Sequence, residues 1–123
     1  MLKKLILIID DDNRNIFALK AVLKAKGFEC LSATNPQDGF AIIEANENIA
    51  IVLMDMMMPD MDGYQAISVM KNSTRMQNIP VLAVTAQAMV GDKERCLTAG
   101  ASGYISKPIN VDDLLLQMEI FIK

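Results

Sequence analysis

Short aliphatic runs alternate with amphipathic stretches along the whole sequence, and this alternation restricts the fold more than any other feature. Unbroken apolar runs occupy residues 5–9, 51–54 and 81–84, and weaker strand candidates occupy residues 29–34 and 104–106. Apolar runs of this length are typical of strands that are buried on both faces of a parallel sheet. We therefore predict five strands in one parallel sheet.

The stretch after each predicted strand has the features of a helix. Asn35 and Asn110 stand at N-cap positions, and Gly27 and Gly100 follow predicted helix ends. The predicted helices span residues 13–26, 36–46, 64–71 and 92–99, and a last helix begins after Asn110 and runs to the end of the chain. Five βα units predict an α/β fold with helices on both faces of the sheet.

Helical spacing also selects the side chains that we expect in the core. These are Ile16, Leu19, Leu23, Phe40, Ile43, Ala66, Ile67, Met70, Val111, Leu114, Leu115, Met118 and Ile122. Five methionines near the third strand, Met54, Met56, Met57, Met58 and Met61, are interpreted as core and loop packing rather than as a soft-metal site, because Met fills irregular gaps.

Composition limits the classes of function. The 123 residues suit one domain, which we take to span residues 1–123. The first apolar run covers only residues 5–9, whereas a membrane span needs ~20 apolar residues, so we expect no signal peptide, no membrane contact and a cytoplasmic location. A net charge of −3 argues against a nucleic acid partner, because domains that bind its backbone carry a basic surface.

The sequence contains no histidine. This excludes histidine metal sites, Ser–His and Cys–His nucleophile pairs and imidazole proton shuttles within the chain. The two cysteines, Cys30 and Cys96, are too few for a disulfide scaffold. We interpret them as free thiols in a reducing compartment that act as small core residues.

Polar residues follow the predicted strands at the point where each strand ends. Asp10, Asp11 and Asp12 follow the first strand, Asp55 the third, Thr85 the fourth and Lys107 the fifth. In an open α/β sheet, ligands bind outside the carboxyl ends of the strands at a topological switch point. If the first and third strands are neighbours, the carboxylates of Asp10, Asp11 and Asp55 converge.

Each of these residues alone is well explained as a helix cap or a turn residue. The set is not, because two like charges ~4 Å apart repel by ~4 kcal/mol at an effective dielectric constant of about 20. A cluster of carboxylates suits a hard cation such as Mg²⁺. Lys107 and the Thr85 hydroxyl would then bind a phosphoryl group beside a nucleophilic aspartate. Asp12 is interpreted as a helix cap, with a water-mediated metal contact as the alternative.

Four motifs make the sequence resemble the receiver domain of two-component response regulators. They are IIDD after strand one, VLMDMMMPDMDG after strand three, VTA after strand four and SKP after strand five. The match covers essentially the whole chain, and the segments AVTAQAM and AGASGYISKPI are similar to those of single-domain regulators and hybrid histidine kinase receivers. The resemblance implies a flavodoxin-like (βα)5 sandwich with strand order 2-1-3-4-5, the order known for the chemotaxis member of the family.

The resemblance implies a role for each acidic residue. Asp55 is the implied phosphoacceptor, Asp11 a direct Mg²⁺ ligand, and Asp10 a ligand acting through water. Asp55 and the main-chain carbonyl of Met57 complete the implied protein ligands, with Mn²⁺ as an alternative ion.

The resemblance also implies roles for residues after strands four and five. Thr85 and Lys107 bind phosphoryl oxygens, and the small Ala86 leaves the phosphoryl pocket open. The peptide bond before Pro108 is expected to be cis. Tyr104 is expected at rest to be half-buried with its hydroxyl in water. It turns inward when Thr85 moves, and this reshapes the surface of helix four, strand five and helix five.

The implied partners are a histidine kinase or a histidine phosphotransfer domain as phosphodonor and a downstream target protein, without nucleic acid or membrane. The chain would be a switch rather than an enzyme, assisting only its own phosphorylation and slow dephosphorylation. In this family the residues two beyond the acceptor and two beyond the threonine tune hydrolysis, and here they are Met57 and Gln87. Since Met57 cannot orient a water molecule, we predict slow self-dephosphorylation.

Two other functions would use some of the same residues. An aspartate-nucleophile phosphatase would use Asp10 as nucleophile and Asp12 as acid, but Arg14 stands where such enzymes usually carry a small hydroxyl or aliphatic residue. A pseudo-receiver would bind partners without phosphorylation. The complete set of Asp10, Asp11, Asp55, Thr85 and Lys107 disfavours it.

Overall fold

A parallel sheet with helices on both sides organises the part of the chain that the structure, a computed structural model, describes: residues 4–59, 61–86 and 91–122. The strands are β1 (Leu5–Ile9), β2 (Glu29–Ala33), β3 (Ile49–Asp55), β4 (Val81–Thr85) and β5 (Gly103–Ser106). The helices are α1 (Asn13–Ala25), α2 (Pro36–Ala45), α3 (Gly63–Lys71), α4 (Asp92–Ala99) and α5 (Val111–Phe121). The predicted βα alternation is confirmed.

The strand order β2-β1-β3-β4-β5 is the predicted one, and every pairing is parallel. The chain therefore moves outward in one direction after β1 and in the other after β3, which makes β1 and β3 the topological switch point. In the register, Ile9 pairs with both Ala33 and Met54, and Thr85 pairs with Ser106. The carboxyl ends of the strands consequently meet at one edge.

Alternation along β1 explains why the strand is apolar throughout. Leu5, Leu7 and Ile9 belong to the core cluster that includes side chains of α2, α3 and α4, whereas Ile6 and Ile8 belong to the cluster with α1 and α5. Successive side chains of a strand point to opposite faces, so a strand between two helical layers needs apolar residues at every position. All five residues are buried.

The helix ends follow the predicted chemistry. The side chains of Asn35 and Asn110 accept hydrogen bonds from the N–H groups of Asp38 and Asp113, as expected for N-caps. The last helix ends at Phe121, so the prediction that it reaches the end of the chain is wrong for Ile122, and Lys123 lies outside the described residues. Strand β3 is longer than predicted and spans Ile49–Asp55 rather than residues 51–54.

Most of the side chains predicted to face the core are buried. The buried ones are Ile16, Leu23, Ile43, Ala66, Ile67, Met70, Leu114 and Met118. Leu19, Phe40, Leu115 and Ile122 are half-buried and pack against the two core clusters. Val111 is half-buried and belongs to neither cluster. Among the five methionines, Met54, Met56 and Met58 are buried and Met61 packs against the core, but Met57 is 50% exposed and does not fit the packing interpretation.

The two cysteines form no disulfide, as the composition predicts. Cys30 and Cys96 are both free, and burial raises the pKa of each thiol. A raised pKa lowers the fraction of reactive thiolate, which fits packing roles. Within the described ranges, no helix has the length and apolarity that a membrane span requires.

Candidate functional site

Three carboxylates lie together at the switch point between β1 and β3. Asp10 and Asp11 directly follow β1, and Asp55 is the last residue of β3. One oxygen of each carboxylate lies within 4.8 Å of the others. Asp10 and Asp55 are buried at 7% and 4% exposure, whereas Asp11 is exposed. The predicted convergence of these residues is present in the fold, with one open side at Asp11.

Backbone amides and one lysine hold the two buried carboxylates. The N–H of Asp12 donates to Asp10 Oδ1 at 2.9 Å, and the N–H of Met57 donates to Asp55 Oδ1 at 3.1 Å. Lys107 Nζ lies 3.6 Å from Asp10 Oδ2 and 3.7 Å from Asp55 Oδ1. Lys107 thus contacts two of the three clustered carboxylates, which leaves a local excess of negative charge.

Burial and the excess of negative charge both change the pKa of Asp55. Burial raises the pKa of Asp55 to about 6, and the nearby carboxylates of Asp10 and Asp11 act in the same direction. The Met57 N–H and the Lys107 ammonium oppose this rise only in part. A divalent cation would relieve the repulsion, and an all-oxygen donor set with an open side fits Mg²⁺. The residues present therefore suit a hard divalent ion.

The ends of β4 and β5 complete the edge around the carboxylates. Thr85 is the last residue of β4 and is 1% exposed, and Asp55 pairs with its neighbour Val84. The N–H of Lys107 donates to the carbonyl of Thr85 at 2.8 Å, which fixes the start of the lysine segment against β4. Ala86 follows Thr85 and is exposed. The Lys107–Pro108 peptide bond is cis, the isomer that the resemblance implies.

The loop after β3 is held close to the site by a glycine. The N–H of Gly63, the first residue of α3, donates to the carbonyl of Met56 at 3.3 Å. A Cβ atom at position 63 would lie 2.7 Å from Met56 Cα, so only glycine permits this approach. The capping box of Asp62 and Gln65 begins the helix directly after the loop.

Asp12 does not share the carboxylate cluster. Its side chain caps α1 by accepting a hydrogen bond from the Arg14 N–H at 2.9 Å, and Arg14 Nε lies 3.4 Å from the same oxygen. These hydrogen bonds lower the pKa of Asp12. An acid with a lowered pKa is a poor proton donor, so this geometry disfavours the phosphatase reading. The cap interpretation of Asp12 is confirmed.

Tyr104 lies apart from the carboxylate cluster, and the expectation that its hydroxyl is in water is wrong. The ring is half-buried as predicted, but the hydroxyl donates to Asp92 Oδ2 at 3.1 Å. The hydroxyl of Tyr64 donates to the other oxygen, Oδ1. Asp92 is 8% exposed. The sequence does not mark it as a functional residue, because an acid in the first turn of a helix is usually an exposed charge that interacts favourably with the helix dipole.

A cleft of about 280 Å³ opens beside the carboxylates. Its lining combines the polar side chains of Asp10, Asn15, Asp55 and Lys107 with apolar side chains such as Leu19 and Ile109. Gln87, for which the family resemblance implies a role in tuning hydrolysis of the phosphoryl group, lies outside the described residues.

The fold and the site together define a class of protein: a doubly wound α/β domain with an acidic pocket, suited to a divalent cation, at its topological switch point. The profile of the response regulator receiver domain matches residues 6–119. The polar-differentiation response regulator DivK of Brucella anthropi is 32% identical over 108 residues, which cover 88% of this chain and 87% of the relative. The chain belongs to the response regulator receiver domain family of two-component systems.

Two solved structures have the same fold at similar lengths. A putative response regulator from Chloroflexus aurantiacus has a TM-score of 0.90 at 26% identity, with 98% of each chain covered. The receiver domain of a Pseudomonas aeruginosa sensor histidine kinase has a TM-score of 0.87 at 27% identity, again with 98% of each chain covered. That receiver was solved with a magnesium ion coordinated in its active site cleft.

Proposed function

We propose that residues 1–123 form one receiver domain that takes a phosphoryl group onto Asp55 with the help of Mg²⁺. The donor is the phosphohistidine of a histidine kinase or of a histidine phosphotransfer domain, and the product binds a downstream target protein. The observation that carries the proposal is the cluster of Asp10, Asp11 and Asp55, with oxygens within 4.8 Å of one another and Lys107 against two of them.

The metal ligands that we propose are Asp11, Asp55 and the main-chain carbonyl of Met57, with Asp10 acting through water. When bound, Mg²⁺, or Mn²⁺ in its place, supplies positive charge that the transferred phosphoryl oxygens require. Asp11 suits direct ligation because it is exposed at the open side of the cluster, whereas Asp10 is buried. The magnesium ion in the active site cleft of the related Pseudomonas receiver supports the choice of ion.

The transfer exchanges one phosphorus bond for another. An oxygen of the Asp55 carboxylate forms a bond to phosphorus while the nitrogen–phosphorus bond of the donor breaks, and its electron pair stays on the imidazole, which takes up a proton. The Asp55 carboxylate, buried at the edge of the cleft, is the nucleophile in this step. Because residues of α1 line the cleft beside Asp55, we expect the donor histidine to approach on this side.

The new phosphoryl group changes the contacts of two side chains. It carries a charge of about −2, so Lys107 exchanges a carboxylate for a phosphoryl oxygen and the Thr85 hydroxyl donates to another. Ala86 leaves room for the group. Movement of Thr85 then allows Tyr104 to turn inward, which shifts the population of the α4–β5–α5 surface toward the form that binds the target.

The proposed chemistry is a single phosphorylation followed by slow self-dephosphorylation, without turnover of other substrates. The cytoplasmic location and the absence of nucleic acid and membrane partners remain predictions.

Incubation with acetyl phosphate and Mg²⁺, followed by intact mass spectrometry, tests the proposal. We expect one phosphoryl group on the wild type, none on Asp55→Asn, and one on the control Asp112→Asn, which changes an exposed carboxylate in the first turn of α5. Equal labelling of the Asp55 variant would show that the acceptor assignment is wrong. Repeated hydrolysis of a phosphate monoester would favour the phosphatase.

A further inference from the structure

One buried carboxylate joins three elements beside the proposed switch. Asp92, in the first turn of α4, accepts hydrogen bonds from the hydroxyl of Tyr64 on α3 and from the hydroxyl of Tyr104 on β5. Each phenol uses a different carboxylate oxygen. Since Asp92 is 8% exposed, these contacts replace the water that a carboxylate would otherwise bind.

The two phenols are not equivalent. The guanidinium carbon of Arg95 lies 3.8 Å from the centre of the Tyr64 ring, so a cation packs against Tyr64. The ring of Tyr104 is instead the one that must move in the proposed switch. If Tyr104 leaves, Asp92 keeps its bond from Tyr64 and is not left as a buried charge without a donor. Tyr64 is thus the anchor and Tyr104 the partner that can be released.

We propose that Asp92 is a positioning residue that holds Tyr104 in its resting place and so opposes the inward turn that phosphorylation favours. This inference rests on the proposed function, because it concerns the regulation of the same switch. The inward turn must break the bond between the Tyr104 hydroxyl and Asp92 Oδ2. The same break removes a side-chain link between the first turn of α4 and β5, which couples the ring to the surface that binds the target.

Removing the acceptor therefore makes activation easier. In Asp92→Asn, an NH2 group, which donates and cannot accept, takes the position of one carboxylate oxygen, so only one of the two phenols keeps an acceptor, and the negative charge is lost. Loss of one hydrogen bond to a charged group corresponds to a change of about tenfold in an equilibrium constant. We expect the activated population to rise by about this factor at a fixed level of activator.

A titration with beryllofluoride and Mg²⁺, followed by the amide NMR signal of Thr85, measures this effect in the full chain. We expect the midpoint to fall about tenfold in Asp92→Asn and in Tyr104→Phe. Tyr64→Phe leaves the bond to Tyr104 in place, so its midpoint should change less than about threefold. Glu94→Gln, a charge change at an exposed position in the same helical turn, should leave the midpoint unchanged.

The contact itself has an independent readout, since the chain contains two tyrosines and no tryptophan. Burial and the hydrogen bond to Asp92 raise the pKa of both phenols, with Cys96 also facing them. Alkaline titration of the absorbance of ionised tyrosine, with circular dichroism to monitor folding, should give lower midpoints in Asp92→Asn than in the wild type. Equal midpoints in two folded proteins would overturn the contact.

The outcomes separate this inference from the proposed function. A wild type that does not respond to beryllofluoride overturns both. A wild type that responds with the same midpoint as Asp92→Asn overturns only the role of Asp92 in the switch and leaves it as a structural link between helices. If Asp92→Asn does not fold, Tyr104→Phe decides the question, because it removes a single oxygen atom and leaves the bond between Asp92 and Tyr64.

Discussion

Replacing Asp55 by asparagine should stabilise the metal-free protein at neutral pH, although Asp55 is the proposed centre of its chemistry. In the folded state the ionised side chain is buried at 4% exposure beside two other carboxylates. Burial, followed by these charges, raises its pKa from 3.8 to about 6. An amide has no charge to desolvate, so Asp55→Asn removes this cost.

The sign and size follow from proton linkage. Between pH 3.8 and about 6 the folded state retains the Asp55 proton that the unfolded chain has released. Stability therefore falls as the pH rises through this range and levels off above it. A shift of about two pKa units corresponds to ~3 kcal/mol at 1.36 kcal/mol per unit. Solvent at the open edge screens part of this cost, and we expect ~1–3 kcal/mol.

Urea denaturation in the presence of a chelator, from pH 4 to pH 8, measures the effect as the difference between variant and wild type. The two proteins should be nearly equal at pH 4, and Asp55→Asn should be more stable by the stated amount above pH 7. Added Mg²⁺ should reverse the order by stabilising the wild type by mass action. The control Asp112→Asn should show no such rise with pH. A constant difference across the range, or a wild type that gains on the variant as the pH rises, would refute the reasoning.

Three further predictions concern the surroundings of the site. Met57→Asn should shorten the lifetime of the phosphorylated protein, because an amide at this exposed position can orient a water molecule; an unchanged decay rate, measured by mass spectrometry, contradicts this. Asp12→Ala should lower the free energy of unfolding by ~1 kcal/mol, because the N-cap of α1 is lost. Labelling by acetyl phosphate should stay intact, and its loss would instead place Asp12 in the site. Gly63→Ala should cost ~1–3 kcal/mol in a denaturant titration, because its Cβ would lie 2.7 Å from Met56 Cα; a neutral result would mean that the loop moves freely.

The sheet was predictable because its signal is local. A strand between two helical layers must be apolar at every position, so residues 5–9 are readable as β1 without any partner. The same reasoning ends β3 before Asp55 because that residue is acidic, but it does not explain the omission of Ile49 and Ala50, which are apolar and extend the strand. The end of α5 was missed since Ile122 continues the helical spacing and no glycine or proline marks the stop.

Part of the candidate site could also be predicted from the sequence, and part could not. Asp10, Asp11 and Asp55 were predicted to converge because each follows a strand, and parallel strands bring their ends to one edge. The acceptor of the Tyr104 hydroxyl was not predictable. Asp92 and Tyr104 are 12 residues apart, and Tyr64 and Asp92 are 28 apart. Such a contact depends on side-chain packing between three elements, and no spacing in the sequence encodes it.

The alternating burial of β1 has a consequence for how proteins of this kind can diversify. Inserting or deleting one residue in β1 would exchange its inward faces and move Asp10 out of line with Asp55 in the same event. An insertion or deletion in this strand would thus disrupt the fold and the carboxylate cluster at the same time, and it would leave no partly functional protein on which selection could act. The outer faces of the helices are under no such constraint: Phe17 on α1 and Leu116 on α5 are exposed. Gene duplicates could change partners by altering these faces while inheriting the same reaction centre.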